Sequence, residues 1–262
     1  MEINGLPAED VLGQKMKELR EIANSRTPEQ EAEFAEKERQ RLHKEGLERV
    51  DASNKLAEVP KRYWDASFTK YPSDFSDEAR TLCLREDTDS ILILYGTTGR
   101  GKTTTLCSAI HARAYAGICG SFYFTMRNLE MKLRKCRTYG TDEDEETFMR
   151  HLANYPFLCL DEVGTCFNQI EEANFLRNII SARYDNMLPT WIATNLTPIE
   201  FKAYLSGIDI SGKSREELMR LSDDLVKNVV ILNRIKSVAV EKTLVGESFR
   251  GVQNADRNNV ER

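Results

Sequence analysis

A glycine-rich segment following the apolar run Ile91–Tyr95 places the strongest limit on how this chain can fold. It matches the phosphate-binding pattern G-x-x-x-x-G-K-[ST] at Gly96, Gly101, Lys102 and Thr103. Glycines at these positions let backbone N–H groups surround phosphate oxygens, and the following helix directs its positive N-terminus toward the same anion. The pattern therefore predicts a strand, a P-loop and a helix within a nucleotide-binding α/β domain.

The residue types within this loop also predict its ligands. Lys102 is expected to contact the β- and γ-phosphates of a nucleoside triphosphate, and the Thr103 hydroxyl to coordinate Mg²⁺. The predicted nucleotide-binding residues are Gly96, Thr97, Thr98, Gly99, Arg100, Gly101, Lys102, Thr103 and Thr104.

Length and composition exclude several classes of protein. With 262 residues, the chain is long enough for one α/β domain and a smaller appendage. No apolar run approaches the roughly 20 residues of a membrane span, and no signal-peptide pattern opens the chain, so we expect a soluble cytoplasmic protein without a membrane partner. The net charge of −5 restricts any nucleic-acid contact to a local basic patch.

Residues 1–59 differ from the rest of the chain, since they are highly charged and poor in aromatic and strand-forming patterns. We predict two helices here, one with an apolar stripe over residues 11–23 and one from Thr27 to about Val50, with a capping box between Thr27 and Gln30. This region is either a solvated arm or a module that docks on another protein. Val59-Pro60 is predicted to mark its end, and we expect residues 60–250 to form the nucleotide-binding domain and residues 251–262 a disordered tail.

Four apolar segments are predicted as strands, over residues 90–95, 121–125, 155–160 and 189–195. They alternate with helical patterns, which is typical of a parallel sheet with helical crossovers. The expected fold is therefore a P-loop α/β domain with a central parallel sheet flanked by helices.

Polar residues follow two of these strands. Asp161 and Glu162 end the strand at 155–160, where Asp161 is expected to hold Mg²⁺ and Glu162 to activate the attacking water. Asn195 ends the next strand and is predicted to contact the water or the γ-phosphate. Because a kinase does not need the glutamate and a GTPase needs a guanine-reading motif that is absent, this set favours an ATPase.

A predicted helix over residues 126–137 carries the densest basic patch of the globular part. Its basic residues are Arg127, Lys132, Arg134, Lys135 and Arg137. This patch is interpreted either as a solvated face or as a contact for a phosphate backbone.

The chain resembles the DnaC/IstB group of AAA+ ATPases, which are bacterial and phage helicase loaders and transposition helpers. The resemblance covers roughly residues 59–250. Besides the P-loop, it is carried by Val59–Tyr63, Leu160-Asp161-Glu162, Ile179–Tyr184, Ala193–Leu196, Asn233-Arg234-Ile235 and Gly246–Arg250.

This resemblance implies two further site residues and a set of partners. Arg234 matches the arginine finger that completes the ATP site of a neighbouring subunit, which implies self-association, and Arg250 matches the second sensor arginine. The basic helix falls near the region where helicase loaders hold single-stranded DNA. The favoured hypothesis is an ATP-dependent loader that binds a hexameric replicative helicase through residues 1–59 and acts in DNA replication.

Two other functions stay open at this point. One is an IstB-like helper that assembles on duplex DNA and presents it to a transposase, although the acidic chain offers little of the basic surface that a filament on duplex DNA requires. The other is a nucleotide-switched binding protein, which would not need the water-activating Glu162.

Overall fold

The structure, a computed structural model, describes residues 2–3, 6–7, 27–85, 90–138, 144–165, 169–208, 210–226 and 239–244. The strands are β1 (Glu2–Ile3), β2 (Leu6–Pro7), β3 (Ile91–Tyr95), β4 (Ser121–Thr125), β5 (Phe157–Val163), β6 (Thr190–Thr194) and β7 (Ala239–Thr243). The α-helices are α1 (Pro28–Leu56), α2 (Ser76–Cys83), α3 (Lys102–Tyr115), α4 (Met126–Cys136), α5 (Glu145–Asn154), α6 (Gln169–Asp185), α7 (Pro198–Leu205) and α8 (Arg215–Val226). A short 3-10 helix covers Lys61–Tyr63.

The chain divides into two compact units, Met1–Glu48 and Arg49–Arg262. The first unit begins with an antiparallel pairing of β1 and β2, in which Ile3 lies opposite Leu6. Our expectation that residues 1–59 contain no strand was therefore wrong. Asn4-Gly5, between the two strands, is the dipeptide most typical of a two-residue hairpin turn, and this signal was missed. The helix predicted over residues 11–23 lies outside the described residues.

Helix α1 begins with the predicted capping box. The Thr27 backbone N–H donates to Gln30 Oε1 at 3.1 Å, and the Gln30 N–H donates to Thr27 Oγ1 at 3.3 Å. The helix ends at Leu56 rather than near Val50. Its last turns belong to the second unit, and they continue because Asn54 and the following Ala57 are buried there.

Five strands form one parallel sheet in the order β4-β5-β6-β3-β7. The four strands predicted from the sequence are all present, and the parallel sheet is confirmed. β7 was not predicted, because two consecutive charged residues, Glu241 and Lys242, follow Val240 and interrupt the continuous apolar pattern that the other strands have. It lies at the sheet edge beside β3, where polar side chains are tolerated.

Both faces of the sheet are covered, which explains the continuous apolar strands. In β3, Ile91, Ile93 and Tyr95 pack into one core, with residues of α4, α5, α6 and α7. Leu92 and Leu94 point the opposite way into a second core, with residues of α2 and α3. The alternation places every residue of β3 out of contact with water and holds its carboxyl end in a fixed position.

A buried histidine joins the end of α1 to α3. His111 Nε2 lies 2.6 Å from Asn54 Oδ1, and its Nδ1 lies 2.7 Å from the Ala66 carbonyl oxygen. Burial lowers the pKa of His111 below its ordinary value of 6.5, although the Ala66 carbonyl and Asp65 oppose this effect. The pKa of His111 is therefore lower in the folded chain than in the unfolded chain.

This arrangement makes stability depend on pH. Because the pKa is lower in the folded chain, the unfolded chain binds more protons near pH 6, and the free energy of unfolding should fall as the pH drops below 6.5. In the wild type, His111 should contribute at most about 1.4 kcal/mol per pH unit to the slope of the unfolding free energy against pH, and replacing it with glutamine should remove that contribution. Chemical denaturation between pH 5 and 8 measures this slope. His43→Gln, at an exposed position of α1, should keep the wild-type slope, and an unchanged slope in His111→Gln would contradict the prediction.

Candidate nucleotide site

The P-loop joins the buried strand β3 to helix α3. β3 ends at Tyr95 and α3 begins at Lys102, so the loop covers residues 96–101. Gly101 has a φ of 84°, a left-handed conformation that favours glycine, and it turns the chain directly into the helix. A side chain at Gly96 would come within 2.8 Å of the Leu244 carbonyl oxygen. The loop therefore requires glycine at both positions, and the first N–H groups of α3 lie at its end, where an anion can bind.

The Lys102 side chain is buried and folds back over the loop. Its Nζ donates hydrogen bonds to Gly96 O at 2.6 Å, Thr97 O at 3.0 Å and Asn195 Oδ1 at 2.8 Å. Burial lowers the pKa of Lys102, and the nearby Asp161 carboxylate opposes that effect. Its three direct partners are neutral oxygens, so no carboxylate in direct contact offsets the ammonium charge.

Two oxygen-bearing side chains from different secondary-structure elements meet beside the loop. Thr103 Oγ1, at the start of α3, donates to Asp161 Oδ2 in β5 at a distance of 2.7 Å. The Asp161 side chain is buried, and its other oxygen accepts the Glu162 N–H at 2.8 Å. A hydroxyl and a carboxylate are the hard oxygen ligands that Mg²⁺ prefers, so this pair fits the predicted metal.

A tyrosine that we did not predict also contacts this pair. Tyr123 Oη, from β4, donates to Asp161 Oδ2 at 2.8 Å. Burial raises the pKa of Tyr123, and the Asp161 carboxylate raises it further, so the hydroxyl remains protonated and acts as a donor.

Glu162 lies in a β-bulge. β5 places two residues, Asp161 and Glu162, opposite the single residue Ala193 of β6, and Glu162 has a left-handed φ of 57°. In a regular strand these two side chains would point to opposite faces, but here both line the same pocket. Glu162 is exposed in that pocket and Asp161 is buried at its base. The bulge thus gives neighbouring carboxylates different surroundings.

Asn195 follows β6, the strand between β5 and β3, and so lies between the Asp-Glu pair and the P-loop. Its side-chain oxygen accepts the hydrogen bond from Lys102. Gly164, after the bulge, packs against Leu196, since a side chain on Gly164 would come within 2.7 Å of Leu196 Cδ1. The bulge and the segment carrying Asn195 are therefore in direct contact.

These side chains surround one pocket at the carboxyl ends of the strands, the edge where ligands bind in α/β sheets. The residues that line it are Arg62, Tyr63, Thr98, Gly99, Gly101, Lys102, Thr103, Thr104, Asp161, Glu162 and Asn195. Gly96 and Thr97 contribute through the carbonyl oxygens that hold Lys102. Arg100 lines a small adjoining pocket with Phe68 and Tyr71, and its Nε donates to Thr97 Oγ1 at 3.3 Å.

Arg62 and Tyr63 were not predicted as site residues. Both come from the short 3-10 helix before the α/β sheet, and Tyr63 lies beside Thr103, with its pKa raised mainly by burial. Their only sequence signal was the Val59–Tyr63 segment, which contributed to the family resemblance but was given no role.

The basic helix is confirmed as α4, but its charges are not equivalent. Lys132 forms an ion pair with Glu58, Arg134 with Glu130, and Arg137 binds both carboxylate oxygens of Glu145. Arg127 and Lys135 are exposed, and among the described residues neither has an ion-pair partner. These two are the better candidates for contact with a phosphate backbone.

The predicted site residues Arg234 and Arg250 and the predicted tail lie outside the described residues.

Comparison with known proteins relates this chain to others by fold. No protein-family model and no curated protein sequence matches it. It is similar to the structure of the DnaC helicase loader, at 23% identity and a TM-score of 0.51, over 71% of this chain and 100% of that one. It is also similar to DnaI, at 18% identity and a TM-score of 0.51, over 72% of this chain and 93% of that one. A DNA replication initiation factor matches at 14% identity and a TM-score of 0.52, over 74% of this chain and 54% of that one.

These likenesses support the predicted resemblance to the DnaC-like AAA+ group at the level of the fold. The chain has a P-loop fold of the AAA+ type, with a pocket lined by P-loop residues at the carboxyl edge of its sheet. In the described ranges, every helix is too short or too polar to cross a membrane.

Proposed function

We propose that this chain, which has the fold of the DnaC-like AAA+ ATPases, hydrolyses ATP and loads a replicative helicase onto single-stranded DNA. The observation that carries the ATPase part is the convergence of a P-loop lysine, a Thr–Asp oxygen pair, a second carboxylate and an asparagine in one pocket. The loader part is supported by the likeness to the structure named as the DnaC helicase loader.

Each residue of the pocket has a role in this proposal. Lys102 exchanges its contacts with the loop carbonyls and Asn195 for contacts with the terminal phosphates. Thr103 and Asp161 hold Mg²⁺, which neutralises phosphate charge when it is bound. Glu162 is exposed to the pocket water, so it orients a water molecule and accepts its proton. Asn195, released by Lys102, contacts that water or the γ-phosphate.

In this proposal, the ATP site of a single chain lacks a residue that a neighbouring subunit supplies. Arg234 reaches the ATP site of a neighbouring subunit and stabilises the charge that develops on the phosphates, while Arg250 contacts the nucleotide within its own subunit. ATP turnover then depends on self-association.

The ATPase part of the proposal is tested by measuring phosphate release from ATP with and without Mg²⁺ and single-stranded DNA. Mg²⁺-dependent turnover supports it, and no turnover under any of these conditions contradicts it.

Exposed apolar side chains in the first compact unit support the proposal that this chain binds a helicase. On α1, Phe34, Leu42 and Leu47 are each about half exposed, at 50%, 51% and 52%. The same part of the helix carries exposed ion pairs, such as Glu33 with Lys37 at 2.6 Å. Large apolar side chains on an otherwise charged helix are suited to burial against another protein, and we assign residues 1–59 to the helicase contact.

The second partner, single-stranded DNA, is assigned to α4 through Arg127 and Lys135. Replacing both with alanine should weaken binding of a labelled oligonucleotide and lower the slope of log K against log salt by about 0.7 for each phosphate that the variant no longer neutralises. Fluorescence anisotropy over a salt series measures both quantities. A charge-matched Lys44→Ala, Lys55→Ala variant on α1 should keep the wild-type slope, and an equal reduction in both variants would contradict the assignment to α4.

A further inference from the structure

A tyrosine of β4, outside the P-loop and the two polar strand ends, contacts the proposed magnesium ligand Asp161. Tyr123 lies in β4, where it pairs with Cys159 of β5, while Thr125 pairs with Asp161. Its ring packs in the core shared with α3, and only 3% of the residue is exposed. From there its hydroxyl extends along the strand to the Asp161 carboxylate, where Oη donates to Oδ2 at 2.8 Å.

Three hydrogen bonds fix the Asp161 carboxylate. Oδ1 accepts the Glu162 N–H at 2.8 Å, while Oδ2 accepts the Thr103 hydroxyl at 2.7 Å and the Tyr123 hydroxyl at 2.8 Å. Thr103 is itself a proposed metal ligand, so its contact with Oδ2 is expected to change when the metal binds. Tyr123 is then the one side chain among the three donors that can hold Oδ2 independently of the metal.

The backbone of Tyr123 is fixed as well. β4 is the edge strand of the sheet, and the outward-facing Tyr123 N–H donates to the Ala57 carbonyl at 3.2 Å. The residue is thus held by Ala57 on one side and by β5 on the other. Phenylalanine would fill the same apolar space, so packing explains the ring but not the hydroxyl.

We propose that Tyr123 is a positioning residue for the magnesium site, where its hydroxyl holds the Asp161 carboxylate in the orientation that binds Mg²⁺. The inference rests on the proposed function, since it assigns Asp161 to that metal. Partners that orient a metal ligand typically change metal affinity by 10- to 100-fold when they are removed. Tyr123 should therefore affect metal binding to the nucleotide complex far more than nucleotide binding without metal.

The test replaces Tyr123 with phenylalanine in the full chain and measures metal binding directly. Electron paramagnetic resonance of Mn²⁺, titrated into protein saturated with ADP, gives the Mn²⁺ dissociation constant, and calorimetry in EDTA gives ADP affinity without metal. The dissociation constant for Mn²⁺ should rise about tenfold in Tyr123→Phe, while ADP affinity in EDTA stays within about twofold.

Tyr95→Phe is the matched control. Tyr95 is also a buried tyrosine of the sheet, but its hydroxyl has no hydrogen-bond partner among the described residues and does not contact Asp161. It should bind Mn²⁺ as the wild type does. An unchanged Mn²⁺ constant in Tyr123→Phe would overturn the inference, and so would an equal loss of ADP affinity in EDTA, which would indicate general damage to the pocket. If the wild type itself bound ADP without any effect of metal, the proposed function would fail instead.

Discussion

Replacing Lys102 with alanine is expected to abolish detectable nucleotide binding, with a loss of about 100-fold or more in ATP affinity. The buried ammonium group is the positive charge at the centre of the loop, and hydrogen bonds to a charged group are worth about 1.5–3 kcal/mol each. At about 1.4 kcal/mol for each factor of ten, the removal of two hydrogen bonds to the phosphates accounts for that effect. Calorimetry with a non-hydrolysable ATP analogue and Mg²⁺ measures it.

Lys44→Ala is the control for this substitution, because Lys44 is an exposed residue of α1 in the first compact unit. It should bind the analogue with wild-type affinity. Thermal unfolding of Lys102→Ala without nucleotide verifies that the chain is still folded. Wild-type ATP affinity in a folded Lys102→Ala variant would contradict the assignment of the loop to phosphate.

The second large effect is expected at Glu162. Glu162→Gln should lower the rate of ATP turnover by a factor of about 10² to 10⁴, the usual contribution of a general base, while ATP affinity stays close to that of the wild type. Glutamine keeps the size of the side chain but cannot accept the proton of the attacking water. Single-turnover phosphate release with saturating ATP separates this chemical step from binding.

Glu58→Gln provides a closely matched control. Glu58 also has a left-handed backbone, with a φ of 56° against 57° at Glu162, but it does not line the pocket. The two variants therefore make the same chemical change on the same kind of backbone. Glu58→Gln should retain turnover, and equal turnover in Glu162→Gln and the wild type would show that another group activates the water.

The sequence predicted the centre of this fold because its signals are local. The P-loop glycines, the apolar run of β3 and the Asp-Glu pair at the end of β5 are contiguous in the chain, and each has one structural interpretation. Parallel pairing then follows from the alternation of strands with helices, and it brings Asp161, Lys102 and Asn195 to one edge. The positions of these residues could therefore be inferred without coordinates.

Other features depend on contacts between distant residues. Tyr123 reaches Asp161 only because β4 and β5 pair in a particular register, which the sequence of β4 alone does not specify. Arg62 enters the pocket because the segment before the sheet folds back beside the P-loop. No glycine occupies the bulge at Glu162, so the sequence did not indicate a bulge there. That Asp161 and Glu162 line the same pocket was found only in the structure.

Ends of elements were also hard to predict where packing decides them. Helix α1 continues to Leu56 since Asn54 is buried beside His111, a contact between residues far apart in the chain. β7 carries Glu241 and Lys242 at the sheet edge, so its pattern does not differ from that of a loop.

The most direct test of the proposed loader is light scattering after size-exclusion chromatography. The full chain and a version starting at Arg49, the first residue of the second compact unit, are each mixed with a hexameric replicative helicase in ATP and Mg²⁺. We predict a complex with the full chain that does not form with the shorter version. If neither version forms a complex while both still bind ATP, the loader function is contradicted, and duplex DNA with a transposase becomes the assembly to examine.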